Sequence, residues 1–159
     1  MKKILLSLVL TCSAFCASAG LLDWYNGVKL DVPLPEHDLQ FIGTAPAMEG
    51  KLVLMDFWAT WCAPCRESFP KLNAWNATYG PKGLVVIGVS PETQELVAPF
   101  ATRMNMQYAV AVEGKKSIQK AFGIKGLPYA FFVNKTGKIV WRGQPADITD
   151  QLIESLLAG

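Results

Sequence analysis

Cys62 and Cys65 stand two residues apart in the run Trp61-Cys62-Ala63-Pro64-Cys65. Three uses suit that spacing: a redox couple, half of a zinc site, or a structural bridge. A bridge across two intervening residues closes almost no loop, so it adds little stability through the unfolded chain. Zinc needs a second pair of ligands. The only histidine, His37, lies in a Pro-rich stretch and reads as a solvated loop residue. The two remaining cysteines, Cys12 and Cys16, sit in an apolar N-terminal segment. Dithiol-disulfide exchange is the use left, with no metal and no cofactor beyond the Cys62–Cys65 pair itself.

That chemistry needs a nucleophile, a resolving thiol, a proton carrier and a seat for the partner chain. At the start of a helix, unpaired backbone N–H groups and the positive end of the dipole favour thiolate over thiol. Cys62 at that mouth is the attacking thiol, and Cys65, one turn further in, is the more buried resolving thiol. Pro64 stiffens the turn and Ala63 leaves room for a substrate chain. Asp56 interrupts an otherwise apolar run six residues before Cys62, where a carboxylate is costly without a task. Beneath Cys65, with a raised pKa, it could take or return that thiol's proton. The run Gly126-Leu127-Pro128-Tyr129 precedes another apolar strand. A cis bond between Leu127 and Pro128 would free the Leu127 backbone to pair with an extended substrate beside Cys62.

The elements that must hold these residues are legible as an alternation. Leu52 to Trp58 and Leu84 to Val89 have the length and composition of buried strands. A helix is expected from about Cys62 to Tyr79, bent at Pro70 and ended by Gly80-Pro81. Ser90-Pro91-Glu92 resembles a helix start, with a Ser cap, and that helix is expected to run to about Met104. A strand over Tyr108 to Val112 and a helix over Ser117 to Phe122 follow. Two strands flank the turn Asn134-Lys135-Thr136-Gly137, and an amphipathic helix closes the chain from Ile148 to Leu157. Residues 20 to 50 read as an N-terminal extension with one hairpin-like pair, Val28 to Leu30 and Leu39 to Ile42. The sum is an α/β fold with a central mixed sheet flanked by helices.

Lys2 and Lys3, an apolar run from Ile4 to Leu10 and the small residues Ala17-Ser18-Ala19 have the form of an export signal cleaved after Ala19. Export to the periplasm, rather than retention as a membrane anchor, is expected, leaving residues 20–159 as one domain. The net charge of +2 comes from 15 basic and 13 acidic residues; removal of Lys2 and Lys3 brings it to zero. No basic stripe suggests a nucleic-acid partner. Gly114-Lys115-Lys116-Ser117 lacks the upstream glycine of a phosphate-binding loop.

Asp56 to Cys65, as Asp-Phe-Trp-Ala-x-Trp-Cys-x-Pro-Cys, resembles the thioredoxin signature, and Gly126-Leu127-Pro128 resembles that fold's cis-proline segment. The span between Val89 and Pro128 exceeds a plain thioredoxin's by about one strand-helix unit. With the export signal, the N-terminal extension and the run Cys65-Arg66-Glu67-Ser68-Phe69-Pro70, this is similar to the TlpA/ResA-like periplasmic thiol-disulfide oxidoreductases. The resemblance implies a thioredoxin-like fold with a central strand-helix insertion and catalytic roles for Cys62, Cys65, Asp56 and Pro128. It implies a substrate groove shaped by Trp61, Ala63, Pro64, Gly126, Leu127 and Tyr129. The implied partners are disulfide-bearing exported clients, such as apocytochrome c or copper-handling proteins, and a membrane thiol reductant, with the protein itself a monomer. Two departures bear on client choice: Ser68 stands where many such proteins carry a helical acid, and Tyr129 where thioredoxins carry Thr. An oxidase or isomerase running the exchange the other way stays open, as does copper delivery through the same two cysteines.

Overall fold

The computed structural model describes residues 30–159; the export signal, Trp24 and Val28 lie outside the described residues. Seven strands form one mixed sheet. They are β1 (Val32–Pro33), β2 (Gln40–Ile42), β3 (Leu52–Phe57), β4 (Leu84–Ser90), β5 (Ala109–Val112), β6 (Tyr129–Val133) and β7 (Lys138–Gly143). Their order is β1-β7-β6-β3-β4-β5-β2. Among the described residues four helices accompany them: α1 (Ala63–Tyr79), α2 (Gln94–Arg103), α3 (Ser117–Ala121) and α4 (Asp150–Ala158). The expected α/β architecture is the one observed.

β3 is the centre, parallel to β4 and antiparallel to β6, with all six residues buried. A strand covered on both faces has no solvent side, which is why it reads as an almost unbroken apolar run. Alternation divides it between two cores. Leu52, Leu54 and, just past the strand, Trp58 join Phe69 and Leu72 of α1, Val97 and Phe100 of α2 and Ile153 of α4. Val53, Met55 and Phe57 join Ile118 and Phe122 on the opposite face, together with Leu34, Leu39 and Phe41 of the N-terminal segment. In α1 the buried residues Cys65, Phe69, Leu72, Trp75 and Tyr79 recur three or four apart, which turns one stripe onto the sheet. The helix is continuous through the exposed Pro70, and a 3-10 turn at Gly80–Lys82 ends it as expected.

Two expectations are corrected. Of the expected hairpin-like pair, Val28 lies outside the described residues, while Leu39 to Ile42 supplies β2, which pairs with β5 at one edge of the sheet; β1 pairs with β7 at the other. The chain between β1 and β2 packs Leu34 and Leu39 on the second face. The second helix begins at Gln94 after Thr93, not at Ser90-Pro91. Ser90 is instead the buried last residue of β4, and Glu92 serves the neighbouring loop. The last helix begins at Asp150, because Thr149 caps it by accepting from the Leu152 N–H at 3.2 Å. The turn before β7 is as expected: Asn134 Oδ1 accepts from the Thr136 and Lys138 N–H groups, and Gly137 has φ 79°.

Gly88 of β4, paired with Asp56 in register, has the tightest packing relevant to the site. A Cβ there would lie 2.8 Å from Trp58 Nε1 and 3.1 Å from the Tyr108 ring. Trp58 cannot retreat, since it stacks on Phe100 at 5.6 Å and meets Phe69 edge-on at 5.3 Å. Gly88→Ala should therefore destabilise by about 1–3 kcal/mol in urea unfolding, as overpacked cores do. An unchanged midpoint would contradict this packing.

Candidate functional site

Cys62 is the N-cap residue of α1, with φ −80° and ψ 93°, and is bridged to Cys65 with 5.4 Å between their Cα atoms. Both sulfur-bearing residues are buried, Cys62 at 3% exposure and Cys65 at 0%. Trp61 beside them is 71% exposed, and Ala63 and Pro64 are exposed as well. An N-cap side chain accepts from the second or third helical N–H. Pro64 occupies the second position and has none, so the Cys65 amide is the donor suited to a Cys62 thiolate. The pair thus has the polarity expected of it: an outer sulfur at the helix mouth and an inner one against the core.

The loop carrying Trp61 and Cys62 is clamped from β4's exit. The Thr60 N–H donates to Glu92 Oε2 at 2.6 Å, and its hydroxyl donates to Oε1 at 2.7 Å. Ser90 Oγ adds a longer bond to Glu92 at 3.3 Å. Bonds to an ionised carboxylate are among the stronger ones. Glu92 therefore fixes the residue two places before the outer cysteine.

Asp56 alternates with Leu54 and Trp58, so it projects from β3 to the face where α1 and Cys65 pack. Its sheet neighbours in register are Gly88 and Ala130, the two smallest options, which leave space for a carboxyl group. Asp56 is fully buried, and neither oxygen has a hydrogen-bond partner among the described residues. Burial pushes its pKa up to about 8, so near neutrality it is mostly the uncharged acid. Tyr108 closes the same region: burial first, and the charge of Asp56 second, push its hydroxyl up. The Tyr108 hydroxyl and Trp58 Nε1 also lack partners among the described residues, so Asp56 sits among unpaired polar atoms within an apolar core.

The Leu127–Pro128 bond is cis, as expected. The ladder between β6 and β3 begins at Tyr129 opposite Phe57, which leaves Leu127 and Pro128 outside it. Gly126 is exposed, while Leu127, Pro128 and Tyr129 are half-buried, Tyr129 meeting Phe131 edge-on at 5.5 Å. Gly126 and Leu127 share a cleft with Trp61, while Ala63, Pro64 and Tyr129 do not line it. Trp75 donates to Asp150 at 2.8 Å, tying α1 to α4. His37 is corrected from a solvated residue to a half-buried one, its Nδ1 2.9 Å from the Pro35 carbonyl oxygen. Among the described residues no cluster of three His, Cys, Asp or Glu gathers.

Three contributors escaped the sequence. Glu92 looked like a first-turn helix acid, and its task depends on a loop 32 residues away. Gly88 looked like an ordinary strand residue. Tyr108 looked like a strand start, with nothing local to point at Asp56.

The sequence profile of the AhpC/TSA family matches residues 31–142. The thiol-disulfide oxidoreductase ResA of Bacillus thuringiensis subsp. konkukian is 32% identical over 109 residues, 68% of this chain and 63% of that protein. ResA of Halalkalibacterium halodurans is 29% identical over 69% of this chain and 62% of its own length. The chain thus spans somewhat under two thirds of these relatives. Among solved structures, one described as a thiol:disulfide interchange protein DsbE from Chlorobium tepidum superposes with a TM-score of 0.72. It is 30% identical and covers 82% of this chain and 99% of that one. A thiol:disulfide interchange protein from Bacteroides sp. gives 0.71 at 22% identity, covering 84% and 93%. The fold is therefore thioredoxin-like.

The raised pKa of Asp56 makes stability depend on pH with a definite sign. The usual value is 3.8, and the folded value is about 8. Between them the folded protein keeps a proton that the unfolded chain releases, so stability falls as pH rises from about 4 to 8 and levels off above. Each pH unit across that window removes about 1.4 kcal/mol. Asp56→Asn should abolish this slope and be more stable than the parent at pH 8 by several kcal/mol. Urea unfolding at pH 5 and pH 8 checks it, and equal slopes for the two proteins would contradict the buried-acid reading.

Proposed function

The chain belongs to the AhpC/TSA family, and on that premise we propose that it is a thiol-disulfide oxidoreductase reducing disulfides in exported client proteins. The observation that carries this is the Cys62–Cys65 pair at the head of α1, on the Asp56 face of β3 and beside the cis Leu127–Pro128 bond. In the reduced protein, the Cys62 thiolate attacks one sulfur of the client disulfide. A mixed disulfide forms, and the client's other sulfur leaves as a thiolate. The ionised fraction of Asp56, which grows as pH approaches 8, then takes the Cys65 proton; a buried acid with a pKa of about 8 can accept a proton and give it back near neutrality. Cys65 attacks Cys62, the client's second thiolate is released and takes a proton from water, and the protein is left as disulfide with Asp56 protonated.

The export signal read from residues 1–19 supports a periplasmic site of action. The names of the ResA and DsbE relatives support thiol-disulfide exchange, and the export signal makes exported proteins the clients, apocytochrome c and copper-handling proteins among the candidates. A membrane thiol reductant would return the pair to the dithiol, and the protein would act as a monomer. The Ala63-Pro64 dipeptide and Asp56 favour the reducing direction.

Trapping tests the mechanism. Cys65→Ala should accumulate clients bound to Cys62 as mixed disulfides that dithiothreitol releases, whereas Cys62→Ser should trap none and fall to the background exchange rate. Equilibration with glutathione should place the pair toward the reducing end of the range, nearer about −270 than −120 mV. A potential at the oxidising end would make it an oxidase, and absence of any adduct would end the exchange mechanism.

A further inference from the structure

Beside the cysteine pair, Trp61 and the segment from Lys116 to Leu127 enclose a cleft of about 360 Å³. Its polar lining is one-sided: Lys116, Gln119, Lys120 and Lys125 face it, and no Asp or Glu does. All three lysines are exposed, and the ion pairs of the described residues join other groups, Lys115 to Asp38 and Lys138 to Asp31. The acids on the flanking segments are committed to the protein itself. Glu92 holds Thr60, and the fully buried Glu113 accepts from Ser117 Oγ and the Ile118 N–H at the head of α3. Lys116 and Lys120 are four residues apart, with the Lys120 N–H bonded to the Lys116 carbonyl, so two like charges share a face. That arrangement is unfavourable unless an anion offsets it. Three uncompensated charges in one cleft contrast with a whole-chain net charge of only +2.

The cleft also has an apolar wall, since the Trp61 ring and Leu127 line it with the lysines. A client chain that pairs with the Leu127 backbone would lie against this cleft, whose Trp61 wall is the chain neighbour of Cys62. We propose that the cleft selects acidic client segments, extended chains with Asp or Glu side chains flanking the reacting cysteine. The proposal rests on the exchange function above and names its substrate class. Charge complementarity of this kind acts mainly on specificity and association rate, and it weakens with salt.

The test separates docking from chemistry. Fluorescently labelled peptides of one sequence, with Ser in place of the reacting Cys and flanked by Glu, Gln or Lys, are titrated against the unaltered oxidised protein and followed by anisotropy. The Glu peptide should bind about tenfold tighter than the Gln peptide, and the Lys peptide most weakly. The preference should shrink from 20 to 200 mM salt, and it should reverse in favour of the Lys peptide in K116E/K120E/K125E. Because the salt series uses the unaltered protein, it decides the matter even if the triple variant folds poorly. Equal binding of the three peptides, or a preference insensitive to salt, overturns the proposal. So does tight binding to anionic phosphatidylglycerol vesicles that the Glu peptide fails to displace. The same peptides carrying a disulfide distinguish the two readings. A Glu preference in binding without exchange by the reduced protein would sink the oxidoreductase reading and leave the cleft, while exchange indifferent to charge would do the reverse.

Discussion

The site depends on keeping one carboxyl group inside the sheet. Asp56 sits in the middle of a strand whose six residues are all buried, with no hydrogen-bond partner for either oxygen among the described residues. A group in that position would cost several kcal/mol as an anion, so it is held as an acid until pH approaches 8. The surrounding architecture makes this possible. Helices cover one face of β3 and the N-terminal segment with α3 covers the other, so the strand is dry on both sides. Gly88 and Ala130 flank Asp56 in the ladder and leave room for its side chain, and Trp58 and Tyr108 close over Gly88. A buried acid, a helix mouth and a dithiol are thus brought to one face by strand alternation and by the stripe of apolar residues that seats α1.

The outer half of the site is built differently, from loops tied at single points. Glu92 receives two bonds from Thr60 and so sets the approach to Trp61 and Cys62 from the end of β4. The cis Leu127–Pro128 bond lies where β6 enters the sheet, one strand from β3. Trp61 projects between these two supports with 71% of its surface exposed, next to a cleft whose charges are all of one sign. The division is physically sensible. Proton transfer needs a dry, rigid interior, whereas recognition of a chain needs solvent access and unpaired backbone.

What could be read from the sequence was whatever acts locally or costs too much to be accidental. The spacing of Cys62 and Cys65, an Asp inside an apolar strand and a Pro before another strand each carry their own reason for being there. The buried strands, α1 and the Asn134–Gly137 turn were legible for the same reason. Features set by distant contacts were not. β1 and β2 complete opposite edges of the sheet, pairings that nothing in their own residues announces. Ser90-Pro91-Glu92 has the chemistry of a helix start, yet Ser90 is taken by β4 and Glu92 by Thr60. His37 reads as solvated, while the fold half-buries it beside Pro35. The lysines of the cleft are scattered over ten residues, and only the fold around α3 turns them toward Trp61.

The central claim is that Asp56 is a buried acid held neutral near physiological pH on the face of β3 against which the cysteine pair packs. Its most direct test is a carbon-13 NMR titration of the aspartate side-chain carboxyls in the oxidised protein, with Asp56→Asn assigning the resonance. The account predicts one carboxyl titrating near pH 8, absent from the variant. If the Asp56 carbon instead titrates near pH 4, in the ordinary aspartate range, the carboxyl is ionised in the core and the account is wrong.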